Sequence, residues 1–250
     1  MRLNTDVYIH REFLFAAVDH SSKKHCPLLS KEEAEWQSIY QLKLDENQEL
    51  LANISKGTGL VRSSIRDVHE IDDNLQIVED EGLPLPEWAH SIDRERLRLL
   101  ANIFTLRPFA TPIMTKLKSG VLINEILMNM KKKANASEKF ERRINIYSAH
   151  DTTIANLWRG FNVTEKLEFP SYGAALMIEL HEIDGKYQVK ILYKRSHLDD
   201  DLIELKIEGC KDSQGKETDA MCDLHIFSSA LRPVVIENFD EACEVPNEQI

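Results

Sequence analysis

Residues 143–153 read RINIYSAHDTT, and this stretch decides the fold of the second half of the chain. Apolar and polar side chains alternate over residues 143–148, which is the pattern of a β-strand. Residues 153–160 are predicted as a short helix, so the chain passes from strand to helix around His150 and Asp151. In open α/β sheets, ligands bind beyond the carboxyl ends of strands and beside helix N-termini. These two residues are therefore the first candidates for a ligand site.

The residue types at this turn suit the hydrolysis of a phosphate ester. An imidazole can hold an anion, and a carboxyl group with a raised pKa can give a proton to the leaving oxygen. A plainer interpretation is that Asp151 caps the helix and that His150 is a packed histidine. From spacing alone, the plainer interpretation is favoured.

The pattern on either side of this turn predicts an α/β chain whose first half is mostly helical. Two strand-like runs, residues 173–181 and 186–194, flank Asp184 and Gly185, a dipeptide typical of a hairpin turn. Five helices are predicted upstream: from Ser30 (paired with Glu33 in a capping box), from Asp45 to Gly57 or Gly59, over residues 62–78, from Asp93, and over residues 113–132. A final helix is predicted over residues 223–239, with a kink or a restart at Pro233.

Composition bounds the class of protein. The chain has 250 residues, of which 42% are apolar, enough for one large domain or a domain with a subdomain. A formal net charge of −11 gives it no global field to attract nucleic acid or anionic lipid. No run approaches 18 apolar residues, so no transmembrane helix is expected. The first residues do not form a signal peptide, which taken alone predicts a cytosolic chain.

Two features point away from the cytosol. The cysteines Cys26, Cys210, Cys222 and Cys243 are even in number and lack the spacing of a zinc site, and four cysteines allow three pairings. Glycosylation sequons begin at Asn53, Asn135 and Asn162. The alternative is that the sequons arise by chance and that the cysteines are four reduced thiols.

The sequence around the turn resembles that of a known family. Residues 147–153 look like the second signature of the histidine acid phosphatases, in the branch that contains prostatic and lysosomal acid phosphatase. The resemblance runs in order from near the start to Cys243. Its other segments are residues 58–60, 83–88, 118–127 and 170–174, the strand through Glu179 and Leu180, and the four cysteines.

The resemblance implies a fold. Residues 1–250 are expected to form a partial histidine acid phosphatase domain, with an incomplete phosphoglycerate-mutase-like sheet and flanking helices. Residues 28–112 are expected to be a mainly helical subdomain. Residues 113–245 are expected to be the α/β part.

The resemblance also implies a reaction. In the family, a histidine in an Arg-His-Gly motif attacks phosphorus and becomes phosphohistidine. Carried over by position, His150 is the histidine that binds phosphate and Asp151 is the proton donor. The implied substrate is a small phosphate monoester. No metal and no cofactor is implied, and a homodimer is possible because family members are often dimers.

The departures from the family are specific. None of the nine histidines follows an arginine, so the Arg-His-Gly motif is absent. The family's further phosphate-binding arginine is also missing, and Ala175 stands about where a family cysteine would be. In the family, Arg-His-Gly lies near the N-terminus. We therefore interpret the chain as the C-terminal two-thirds of a histidine acid phosphatase, and expect no phosphatase activity from it alone.

The family pattern selects one cysteine pairing, Cys26 with Cys243 and Cys210 with Cys222. Disulfides persist in oxidising compartments. With the sequons, this predicts that the parent protein is a glycoprotein that is secreted, lysosomal or exposed at a membrane surface.

Two other functions are weighed against the phosphatase. The chain could be a non-catalytic pseudoenzyme that binds a partner through its helical half. It could also be a metal-dependent hydrolase with a His-Asp-helix site. Such metal sites need further histidines at helical spacing, and His150 has none within ten residues.

Overall fold

A computed structural model of the chain describes residues 7–10 (backbone only), 26–61, 64–106, 110–135, 142–165, 169–210 and 221–245. The chain divides into two units. Met1–Leu29 and Thr111–Ile250 form the first, which we call the α/β unit. Ser30–Ala110 forms the second, which we call the helical unit.

The helical unit packs amphipathic helices around one apolar core. It contains residues 30–45 of α1 (Pro27–Asp45), then α2 (Gln48–Thr58), α3 (Ile65–Asp80), a 3-10 helix (Glu87–Ser91) and α4 (Arg94–Leu106). Helix α1 begins earlier than the predicted start at Ser30, because proline suits the first helical position. Helices α2 and α3 contribute these buried side chains to the core: Leu50, Leu51, Ile54, Val68, Ile71 and Leu75.

Helix boundaries in this unit follow local capping chemistry. Ser64 Oγ accepts a hydrogen bond from the Asp67 N–H (3.1 Å), and Asp67 Oδ2 accepts one from the Ser64 N–H (3.0 Å). This capping box begins α3. Asp93 accepts from the Arg96 N–H (3.0 Å) and begins α4, as predicted. Gly59 ends α2 in the left-handed conformation, with φ 72°.

A group of charged side chains joins α3 to α4. Arg94 and Arg98 each lie 3.7 Å from the Asp72 carboxylate, and Arg94 lies 3.1 Å from Glu79. Desolvation by burial raises the pKa of Asp72, and the opposing attraction of the two arginines does not reverse that direction. Asp72 is therefore a carboxyl group that the fold makes harder to ionise.

Helix α5 (Pro112–Ala134) is the first helix in the second segment of the α/β unit. Thr111 caps it by accepting from the Met114 N–H at 3.1 Å. Strand β1 (Val7–His10), in a segment where no element was predicted, pairs in parallel with β2 (Ile144–Tyr147). Helix α6 (Asp151–Gly160) follows β2, so the predicted change from strand to helix is observed.

A second sheet follows α6. Strands β3 (Ala175–Ile183) and β4 (Lys186–Lys194) form the predicted antiparallel hairpin. Asp184 and Gly185 have φ values of 50° and 73°, as a two-residue hairpin turn requires. Strands β5 (Ile203–Leu205) and β6 (Cys222–Asp223) both pair with β4.

The sheet is open along β3. Among the described residues, β3 pairs with β4 alone. Its apolar side chains Leu176, Ile178 and Leu180 are only half-buried. Their cross-strand partners on β4 are at most 2% exposed: Tyr193, Ile191 and Val189. The incomplete burial on the outer strand is what a sheet with an unpaired edge shows.

The prediction of one helix over residues 223–239 is wrong. Asp223 caps a shorter helix, α7 (Leu224–Ala230), and a separate turn, α8 (Phe239–Ala242), follows. Proline has no N–H to donate and its ring clashes with the carbonyl four residues earlier, so the helix ends before Pro233.

Both disulfides implied by the resemblance are present. Cys26 bonds to Cys243 with a Cα separation of 4.9 Å, and Cys210 bonds to Cys222 with a Cα separation of 5.0 Å. Residues 211–220, between the second pair, lie outside the described residues. No helix among the described segments is long and apolar enough to cross a membrane.

Candidate active site

Strand β2 brings the chain to the candidate site. Its partner β1 runs parallel, with His10 opposite Tyr147 at the end of the pair. The carboxyl ends of both strands therefore lie at the same edge. His150 and Asp151 follow β2 at that edge.

His150 is the last residue before α6. Its backbone is extended, with φ −112° and ψ 166°, and it occupies the helix cap position. Its carbonyl oxygen accepts from the N–H groups of Thr153 (3.0 Å) and Ile154 (3.3 Å). Its own N–H donates to Thr153 Oγ1 at 3.4 Å. Because Thr153 is buried, these bonds tie the turn to the inner side of α6.

Asp151 is the first residue of α6. Its Oδ1 accepts from the Thr152 N–H at 2.6 Å, and a carboxylate is favoured there by the partial positive charge of the helix N-terminus. The cap position itself belongs to His150, so the plainer interpretation of Asp151 as the cap residue is displaced by one position. Both side chains are exposed, which leaves an imidazole and a carboxyl group accessible to a small solute at a helix N-terminus.

Close packing against α5 fixes the far end of α6. A Cβ atom on Gly160 would lie 2.5 Å from Ile123 Cδ1 and 2.7 Å from Ser119 Oγ. A larger residue would require the Ile123 or Ser119 side chain to shift, so glycine lets the two helices approach closely without displacing either. Ser119 is itself held by donating to the Thr115 carbonyl at 2.7 Å.

Aromatic side chains fix the other side of α6. Trp158 meets Tyr193 of β4, and Phe161, just after the helix, packs on Phe227 of α7 with ring centroids 5.8 Å apart. Helix α6 is therefore held by α5, by the second sheet and by α7. A helix held on several sides gives its N-terminal residues a defined position.

One interaction beside the site was not predicted from the sequence. The Tyr147 hydroxyl, at the end of β2, donates to Glu125 Oε1 of α5 at 2.9 Å. Asn129 Nδ2 donates to the same hydroxyl oxygen at 3.5 Å. Glu125 and Asn129 are four residues apart and share a face of α5, and that spacing was the available signal.

The three predicted glycosylation residues occupy different kinds of local structure. Asn53 is exposed on α2, and Asn135 is exposed where α5 ends. Asn162 is exposed in a left-handed turn after α6, with its Nδ2 donating to Glu208 Oε2 at 2.6 Å. Within the described residues, no three His, Cys, Asp or Glu side chains are grouped as metal ligands.

Comparison with known families shows which superfamily contains this chain. A sequence profile of the histidine phosphatase superfamily (branch 2) matches residues 65–194, more than half of the chain. The chain belongs to this superfamily. The matched range includes β2, the His150–Asp151 turn, α6 and the β3–β4 hairpin.

Curated members of the superfamily align with most of the chain. Human prostatic acid phosphatase is 27% identical over 90% of this chain and 56% of its own length. Human lysosomal acid phosphatase is 27% identical over 82% of this chain and 47% of its own length. Putative acid phosphatase 5 of Caenorhabditis elegans is 28% identical over 77% and 44%. This histidine phosphatase chain thus spans about half the length of the curated relatives it matches.

Solved structures share the fold. Hafnia alvei phytase in its apo form superposes with a TM-score of 0.56 at 17% identity, covering 95% of this chain and 67% of that one. A Klebsiella phytase gives a TM-score of 0.57 at 14% identity, covering 93% and 71%. This chain therefore shares its fold with proteins of low sequence identity.

Proposed function

We propose that this chain is the proton-donating portion of an acid phosphatase that hydrolyses small phosphate monoesters. One observation carries the proposal. The exposed His150 and Asp151 are adjacent at the N-terminus of α6, in a chain of the histidine phosphatase superfamily. The helix N-terminus favours an anion there, and both residues are exposed to solvent.

The proposed reaction assigns one role to each residue. His150 holds a phosphoryl oxygen and stabilises the charge that develops on the phosphoryl group. Asp151, as the acid, gives its proton to the ester oxygen as the phosphorus–oxygen bond breaks. The phosphoryl group passes to the nucleophilic histidine of the family's Arg-His-Gly motif, and water then releases phosphate from that histidine.

The chain supplies only part of this machinery. Arg-His-Gly does not occur in the sequence. Without a nucleophile there is no phosphohistidine, and loss of one catalytic group costs several orders of magnitude in rate. We therefore propose that the 250-residue chain alone is inactive.

Complementation tests the proposal. The N-terminal part of human prostatic acid phosphatase, including its Arg-His-Gly, is fused ahead of the chain, and hydrolysis of an aryl phosphate is measured. The fusion is expected to turn over substrate, and the unfused chain is expected to remain at background. Asp151→Asn in the fusion is expected to lower kcat by roughly 100-fold or more, because a general acid contributes about 10²–10⁴-fold.

Asp184→Asn is the matched control. Asp184 is an exposed aspartate in the hairpin turn, with φ 50°, and asparagine accepts this left-handed conformation. Its activity is expected to equal that of the unsubstituted fusion. Turnover by the unfused chain that is lost in Asp151→Asn would contradict the proposal of inactivity. An active fusion that is insensitive to Asp151→Asn would remove Asp151 from the mechanism.

A second candidate function is a non-catalytic role in binding a partner through the helical unit. It is favoured by large apolar side chains that this unit leaves more than half exposed: Leu42, Leu60, Val61, Leu83 and Leu99. Exposed apolar groups of this size are common at interaction surfaces. An inactive fusion that still folds, as judged by its thermal transition, would favour this function over the phosphatase.

The disulfides bear on where the protein works. Both form in the structure, and such bonds persist in secreted, lysosomal or other oxidising settings. We propose that the parent protein works in such a compartment. Mass analysis of the protein isolated from its natural source is expected to show both disulfides intact.

A further inference from the structure

The end of strand β2 is fastened to helix α5 by a side-chain hydrogen bond. Tyr147 is the last residue of β2, and its hydroxyl donates to Glu125 Oε1 at 2.9 Å. Asn129 lies one turn further along α5 and donates to the same hydroxyl oxygen at 3.5 Å. The phenol is thus both a donor to α5 and an acceptor from it.

The chemistry of the pair keeps the phenol protonated. Burial raises the pKa of Tyr147 above its usual value, and the neighbouring Glu125 carboxylate raises it further. A hydrogen bond from a neutral donor to a charged acceptor is stronger than one between two neutral groups. The Tyr147 phenol therefore remains protonated, and able to donate to Glu125, at neutral and mildly alkaline pH.

The turn that carries His150 and Asp151 is anchored to α5 at both ends. Upstream, Tyr147 is bonded to Glu125. Downstream, α6 meets α5 at the close approach around Gly160. Between Tyr147 and His150, Ser148 and Ala149 are exposed, so this two-residue link has little packing of its own.

We propose that Glu125 and Tyr147 are positioning residues, whose hydrogen bond holds the end of β2 on α5 and so fixes where His150 and Asp151 are presented. The relevance to catalysis rests on the proposed function, but the positioning itself does not. Neither residue needs to touch a substrate. The bond acts through the backbone of residues 148–150.

Hydrogen exchange of the full 250-residue chain tests the positioning without phosphatase activity. The amides of Thr153 and Ile154 report on the turn, because both donate to the His150 carbonyl. Tyr147→Phe removes the hydroxyl, and Glu125→Met removes the acceptor at similar side-chain length. Each is expected to speed exchange of these two amides by roughly 10-fold, the order expected for one lost hydrogen bond to a charged group.

Two variants serve as controls. Glu125→Gln keeps an acceptor oxygen and is expected to restore most of the protection that Glu125→Met loses. Tyr187→Phe removes a second tyrosine–glutamate bond, from the Tyr187 hydroxyl to Glu182 Oε2 (3.3 Å), on the β3–β4 hairpin. It is expected to leave exchange at Thr153 and Ile154 unchanged.

The NMR resonance of the His150 imidazole reports on the local position of the turn, and a general loss of stability would not shift it. In histidine-labelled protein, this resonance is expected to shift in Tyr147→Phe and Glu125→Met and to return toward the original position in Glu125→Gln. The resonances of His69 and His181 are expected to stay in place. His150→Ala assigns the signal.

The outcomes separate this inference from the proposed function. Unchanged exchange and an unmoved His150 resonance in both Tyr147→Phe and Glu125→Met would overturn the positioning role, whatever the fusion enzyme does. Equal acceleration across α5, α6 and the hairpin would overturn it too, since that is global destabilisation. A local effect in a chain whose fusion is inactive would support the positioning and reject the phosphatase.

Discussion

The indole of Trp158 on α6 meets the ring of Tyr193 on β4 edge to face, with centroids 4.7 Å apart and an interplanar angle of 84°. Both side chains are buried. This contact joins the helix that begins at Asp151 to the second sheet. Edge-to-face pairs add a specific attraction to the burial of apolar area.

Replacing Trp158 is expected to test how firmly α6 is held. Trp158→Ala is expected to lower the free energy of unfolding by about 3–5 kcal/mol, because it leaves a cavity beside Tyr193. Trp158→Phe is expected to cost about 1–2 kcal/mol, since it retains an aromatic ring. The indole N–H has no hydrogen-bond partner among the described residues, so Trp158→Phe sacrifices no bond seen there. Urea unfolding measures both, and equal losses would contradict the role of the ring contact.

The pH dependence of stability is expected to change when Asp72 is replaced. Burial raises the pKa of Asp72 above 3.8, so the folded chain holds this proton more tightly than the unfolded chain does. Its contribution to stability is therefore present below the unfolded pKa and is lost as the pH rises through the folded pKa. The free energy of unfolding of the unsubstituted chain, minus that of Asp72→Asn, is expected to fall between about pH 3 and pH 6.

Asp73→Asn controls for the loss of a nearby negative charge on the same helix. A difference that rises with pH for Asp72→Asn would mean that the arginines, rather than burial, dominate this carboxyl group.

The two disulfides are expected to differ in their contribution to stability. Their cysteines are separated by 217 and 12 residues in the sequence. In the chain-entropy description, the long loop contributes roughly 5 kcal/mol and the short one roughly 3 kcal/mol. The Cys26→Ser, Cys243→Ser double variant is therefore expected to unfold at lower urea concentration than the Cys210→Ser, Cys222→Ser double variant. The reverse order would show that the Cys210–Cys222 disulfide stabilises structure beyond the loop that it closes.

Of the three sequons, the one at Asn135 is expected to carry a glycan when the chain is expressed through a secretory pathway. Asn135 is exposed at the end of α5. Asn162 lies in a tight turn with a φ of 54°, and Asn53 lies within α2, whereas Asn135 follows the last residue of its helix. Asn135→Gln is expected to abolish the mass shift on deglycosylation. A shift that disappears only in Asn53→Gln or Asn162→Gln would contradict this assignment.

Local chemistry explains which elements the sequence predicted. The hairpin at Asp184 and Gly185 and the start of α4 after Asp93 depend on neighbouring residues, and the structure confirms them. Helix α6 was predicted over residues 153–160, and it begins two residues earlier, at Asp151. Strand β1 was missed because four residues carry too weak a pattern, and its pairing with β2 is distant in sequence. The helix over residues 223–239 was overextended because apolar spacing was given more weight than Pro233.

The candidate site shows the same division. His150 and Asp151 are adjacent in the sequence, and they were predicted as site residues from the local pattern and from the resemblance to a family; their roles stay a prediction. The Glu125–Tyr147 bond was not predicted, because it joins a helix to a strand through side chains whose facing directions depend on tertiary packing. The ion pairs of Asp72 with Arg94 and Arg98 were not predicted from the sequence for the same reason.

The bond between Cys26 and Cys243 turns most of the polypeptide into a closed covalent ring. A protease that cuts one peptide bond inside that ring linearises it without releasing a fragment. Nicked protein should therefore migrate as a single species on a non-reducing gel and separate into two pieces only after reduction. The ring also brings the Cα atom of Cys26 within 4.9 Å of the Cα atom of Cys243, although 217 positions separate the two cysteines in the sequence.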